Sequence, residues 1–185
     1  WEASDESLKS SWQNFSYRGR GVEPPGNNNP NYFHEFLMGM LAAGEVLIDD
    51  ISVVEDPDGA AIELIQNGDF ESDSVGVTPD KWRIVGNHGQ SGVMDLPEGG
   101  RALKLVSTGR LEHSYNLAST TFANGRTLNS SKTYEISFRA KWLSGSPQLN
   151  TRLYFNRLSR THILPQPAIT GTPGSANSIS VSYTH

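Results

Sequence analysis

The residues in this chain best suited to hold a catalytic metal are its five histidines, His34, His88, His113, His162 and His185. No two stand at His-x-His or His-x-x-x-His spacing, so only the fold could bring them together. Beside Glu35, Asp49, Asp50 or Asp95, two or three imidazoles would hold zinc or manganese and bring the pKa of a bound water to about 7. His34, His88 and His113 are the candidates, because His162 and His185 lie in or near a Pro-rich C-terminal stretch. A metal-bound hydroxide is the simplest strong nucleophile available, because other nucleophile signatures are absent. The chain has no Cys, which removes thiol catalysis, disulfides, zinc–thiolate sites and iron–sulfur clusters. It has no Gly-x-Ser-x-Gly elbow, no P-loop and no dinucleotide fingerprint. Paired-carboxylate glycoside hydrolysis would find acids enough but needs a cleft to hold two of them. An enzymatic reading is therefore a metal-dependent hydrolase acting on phosphate or carboxylic esters.

Aromatic residues open a different chemistry. Sugar rings stack their C–H faces on Trp and Tyr, and their hydroxyls need Asn, Gln, Asp and Arg nearby. Trp12, Tyr17, Trp82, Tyr115, Trp142 and Tyr154 are the candidates. Tyr154 alternates with Leu153 and Phe155 and shares its side with Arg152 and Asn156, so residues 151–157 would offer a polar–aromatic face. Trp142 shares a side with Ile136 and Phe138 and reads as core. The ligand-binding set is Tyr154, Arg152, Asn156 and Trp82. The formal charge of −5 argues against a nucleic-acid partner, which would need a basic face. Two Asn-x-Ser sequons, at Asn14 and Asn129, matter only in a eukaryotic secretory setting.

The elements that must position these residues are mostly strands. The 185 residues suffice for one domain or two small ones. With 36% hydrophobic and 19% charged residues the chain is lean but not disordered, and 18 Gly with 10 Pro imply many turns. No apolar run approaches transmembrane length. Period-two runs cover 12–18, 45–54, 62–70, 102–107, 134–142 and 149–158; residues 32–43 read as a helix or as a buried strand. In 134–142, Tyr134, Ile136, Phe138, Ala140 and Trp142 share one face, with Glu135, Ser137, Arg139 and Lys141 on the other. Residues 23–31, 56–60 and 144–147 are loops or turns. The expected fold is all-β, an antiparallel β-sandwich.

Certain motifs carry a resemblance. Residues 63–71 (ELIQNGDFE), followed by Trp82, resemble the first strand of carbohydrate-binding modules with a galactose-binding-like β-jelly roll. Residues 102–105 and 133–140 resemble its middle strands, and 44–53 (GEVLIDDISV) its last. The closing motif thus precedes the opening one. That order implies a jelly roll that is circularly permuted or completed by a domain-swapped dimer. The expected division is one sandwich over 1–165, built from 1–56 and 62–165, with 166–185 as an extended tail. The resemblance implies a structural calcium site with Asp50 and Glu71 as side-chain ligands and carbonyls near Asn67 and Asp69.

The start at Trp1 and the Ser/Thr/Gly-rich end lead us to expect a piece of a longer, multi-module bacterial surface protein. The leading functional expectation is an extracellular or cell-surface carbohydrate-binding-type module with a calcium-type site. A metal-dependent hydrolase on the same scaffold is the alternative, with a small-molecule ester as substrate. A ligand-free structural spacer is the third reading.

Overall fold

A computed structural model of the chain describes residues 11–21, 34–109 and 116–153, and the backbone of 156–162. The expected tail, 166–185, lies outside the described residues, as do His113, Tyr115 and Tyr154. The side chains of Asn156 and His162 are outside them too.

Eleven strands form in the order β1 (Gln13–Arg20), β2 (Glu35–Met40), β3 (Gly44–Glu55), β4 (Ile62–Glu63), β5 (Trp82–Val85), β6 (Gly92–Asp95), β7 (Arg101–Ser107), β8 (Leu117–Thr121), β9 (Thr133–Gly145), β10 (Gln148–Leu153) and β11 (Asn156–His162). Two short 3-10 turns, Gly86–His88 and Ala123–Gly125, are the only helical pieces among the described residues. Sheet A runs β1-β9-β3-β7-β6, with β4 paired to the end of β3. Sheet B runs β11-β10-β2-β8-β5. Each of these pairings is antiparallel. The chain is therefore an antiparallel two-sheet β protein, as its alternating pattern requires.

Strands from early in the chain sit inside both sheets. β3 lies between β7 and β9, and β2 between β8 and β10. Phe36, Met38 and Met40 of β2, Val46 and Ile48 of β3, Leu103 and Leu105 of β7, and Ile136 and Phe138 of β9 share one buried cluster. Residues 32–43, open to a helix or a strand in sequence, hold β2, whose residues from Phe36 on are buried on both faces.

Two runs differ from their expectation. The 62–70 run keeps only Ile62–Glu63 as strand. The reason is the Glu63 side chain: its Oε1 accepts from the backbone N–H groups of Val53, Leu64 and Ile65 at 3.0, 3.0 and 2.8 Å. Leu64 N–H still reaches the Val53 carbonyl at 2.8 Å, but the Val53 N–H that a longer ladder would have paired with Leu64 turns to the Glu63 carboxylate. The 149–158 run is not one strand, because β10 ends at Leu153 and β11 pairs back on it from Asn156.

Candidate functional site

Sheet A turns one face to solvent, and a local fault in β3 shapes that face. Between Asp49↔Arg139 and Ser52↔Ser137, two residues of β3, Asp50 and Ile51, stand opposite one of β9. This is a β-bulge. Asp50 takes a left-handed conformation there, φ 51°, which Asp tolerates better than most residues. Its N–H donates to Asp49 Oδ1 at 2.8 Å. Gly68 seals the bulge from the next turn: its carbonyl accepts from Ile51 N–H at 3.0 Å. A Cβ at Gly68 would lie 1.9 Å from the Ile51 carbonyl oxygen, so only glycine fits.

Arg139 organises the charges. It pairs with Asp49 through Nη2 and through Nε at 3.1 Å, and its Nε lies 3.0 Å from Asp50 Oδ2. Asp49 is 1% exposed on what is nominally the wet face. Burial pushes its carboxyl up from the usual range, against the pull of Arg139. The Trp12 ring lies 4.7 Å from the guanidinium carbon of Arg139, a cation–π distance. Trp12 Nε1 donates to Glu98 Oε1 at 2.7 Å. Trp12 also packs on a small outer cluster of Leu47, Leu96 and Ala102.

Next to this group is a shallow trough of about 420 Å³ lined by Asn14, Ser16, Asp50, Glu135, Ser137 and Arg139. A second hollow of about 340 Å³ shares Asp50 and adds Ser52, Glu63, Asn67, Gly68 and Asp69. The solvent face of sheet A thus carries amide, hydroxyl, carboxylate and guanidinium groups in one connected surface beside an indole.

The residues expected from sequence are distributed as follows. Asp50, Asn67 and Asp69 meet in the second hollow, but Glu71 does not line it. Glu71 Oε1 accepts from Arg101 N–H at 2.9 Å instead. The Asn67 carbonyl accepts from Trp82 Nε1 at 2.9 Å, and its amide donates to Asp73 Oδ2 and the Asp80 carbonyl, both at 2.8 Å. Among the described residues no three His, Cys, Asp or Glu gather to hold a metal.

Trp82, expected at a ligand surface, is 7% exposed and stands edge-on to Phe36 and tilted against Phe70. It is core, because its ring belongs to the main buried cluster and its single donor is taken by the Asn67 carbonyl. Tyr17 is core as well, and Trp142 packs against the main cluster. Arg152 stands beside Leu37 in the β10–β2 register, on sheet B and away from the trough.

The two histidines whose side chains are described, His34 and His88, do not converge. His88 is fully buried, and its Nε2 accepts from Met40 N–H, at the C-terminal end of β2, at 2.9 Å. His34 precedes the N-terminal end of β2, with Nε2 3.8 Å from Glu35 Oε1. At about 3.3 Å per residue the strand holds them roughly 20 Å apart. One metal cannot take both.

Sequence reading missed Trp12 as neighbour to Arg139, the Asp49–Arg139 pair and the capping role of Glu63. Arg139 was legible as a wet-face residue, but its partner depends on a register that only the fold fixes. No helix among the described residues is long and apolar enough to cross a membrane. Compared with known proteins, the chain matches no family model, no curated protein and no solved structure.

Proposed function

We propose that the chain is a binding module of carbohydrate-binding type, in the bacterial extracellular or cell-surface setting its motifs imply, with its ligand lying across the solvent face of sheet A. The observation that carries this reading is the trough of Asn14, Ser16, Asp50, Glu135, Ser137 and Arg139 beside Trp12. Sugar hydroxyls both donate and accept. Asn14 and the two serines do likewise, the carboxylates accept, and the guanidinium donates. The trough volume lies in the roughly 300–1,000 Å³ range of small-ligand sites, and its shallowness suits a chain bound along its length. Arg139, fixed by Asp49 and Trp12, needs no reordering to present its remaining donors, which lowers the entropic cost of binding.

The test is affinity electrophoresis against neutral and acidic polysaccharides, with retention on insoluble ones. Trp12→Ala and Ser137→Tyr, which fills the trough, are expected to weaken retention at least about tenfold, a loss of roughly 1.4 kcal/mol. Arg152→Ala on sheet B is expected to leave it unchanged. Loss on Arg152→Ala alone would move the site to sheet B. Turnover of activated phosphate or carboxylic esters that stops on chelation would favour the hydrolase instead.

A further inference from the structure

Three of the four residues that the resemblance assigns to calcium already have a cationic or N–H partner on an oxygen. Asp50 faces Arg139, Glu71 Oε1 holds the Arg101 backbone N–H, and the Asn67 carbonyl holds Trp82. With these three engaged and Glu71 outside the hollow that Asp50, Asn67 and Asp69 line, the four residues do not form one oxygen cage. Arg101 shows what fills the turn instead. Its Nη1 donates to the Glu71 carbonyl at 3.0 Å and also to the Asp73 carbonyl. Its Nε lies 3.3 Å from Asp95 Oδ1. One side chain thus collects two backbone carbonyls and a carboxylate, while its own backbone N–H collects a second carboxylate.

The position follows from the sheet. The β3–β7 register ends at Ile48↔Leu103, two residues short of setting Asp50 opposite Arg101. Where β3 bulges away, Glu71 comes in from the following turn and takes the Arg101 N–H. We propose that Arg101 is the resident cation of the 69–73 turn, engaging the Glu71 that the resemblance assigns to calcium and drawing it away from Asp50, Asn67 and Asp69, so that the folded chain is calcium-independent. A guanidinium suits that position, because it is always charged and spreads several donors in a fixed plane. A calcium ion needs 6–8 oxygens and would have to displace it against like-charge repulsion.

Removing the guanidinium leaves the Glu71 and Asp73 carbonyls and the Asp95 carboxylate without their cation, while the Glu71 carboxylate stays next to them on the Arg101 backbone N–H. The test is thermal melting and calorimetric calcium titration of the wild-type chain, Arg101→Ala and Arg101→Lys. The wild type and Arg101→Lys, which keeps a positive charge there, are expected to ignore both calcium and chelator. Arg101→Ala is expected to melt lower and to recover about 5–10 °C once calcium exceeds its dissociation constant about a hundredfold. Arg101→Gln replaces the alanine variant if that one does not fold. Calcium heat or a melting shift in the wild type overturns the proposal. So does an uncharged variant that takes up no calcium.

Discussion

His88 is removed from metal chemistry by burial and by one hydrogen bond. Its Nε2 lone pair faces Met40 N–H, so the ring is neutral with its proton on Nδ1. Burial pushes its pKa down to about 4. The unfolded imidazole titrates near 6.5. Above that pH neither state is protonated, and the group leaves stability untouched. As pH falls from 6.5 to 4 the unfolded chain takes the proton first, and stability is lost. The loss at pH 4 is on the order of 3 kcal/mol, since each tenfold difference in proton affinity is worth about 1.4 kcal/mol. Following the His88 ring proton by NMR against pH should show no inflection down to about pH 5. An inflection near its ordinary value would contradict the buried geometry. A second buried group is fully paired instead: Glu55 accepts from Tyr134 Oη at 2.8 Å and from Arg126 Nη1 at 3.0 Å, so both of its oxygens are satisfied.

β3 is the element on which the site depends. Along its first half Val46 and Ile48 point into the core; beyond the bulge Ile51 and Val53 do. The apolar phase shifts from even to odd positions across Asp49 and Asp50. That shift is visible in the sequence and is the signal for a bulge, yet a simple period-two reading passes over it. The strand itself was legible from its Val and Ile content, and β9 from its clean alternation. The short strands β5, β6 and β8 were not. Four or five residues such as Leu-Ala-Ser-Thr-Thr carry too little pattern, and their pairing is decided by neighbours distant in sequence. The turn against the bulge gives a direct check. Gly68→Ala should cost about 2 kcal/mol or more, because the added carbon meets the backbone of Ile51 and cannot relax as a side chain would. Urea unfolding measures it, and a loss below about 0.5 kcal/mol would mean that the turn does not close on β3 as described.

At the scale of the whole molecule, the two sheets draw on strands from both ends of the described chain, and the solvent face of sheet A is assembled the same way. Asn14 and Ser16 come from β1, Asp49 and Asp50 from β3, and Glu135, Ser137 and Arg139 from β9. No local motif marks such a surface, because its members are neighbours only after β9 has paired with both β1 and β3. The alternation showed the wet side of β9, and the pairing decides which residues of β1 and β3 share a trough with it. The face expected from residues 151–157 lost its continuity for the matching reason, since a chain reversal divides it. The most direct measurement is amide chemical-shift mapping with whichever oligosaccharide the affinity panel retains. The expected shifts cluster at Trp12, Asn14, Ser16, Asp50 and residues 135–139, with β10 on sheet B unmoved. Shifts confined to β2 and β10, with the sheet A face silent, would contradict the assignment.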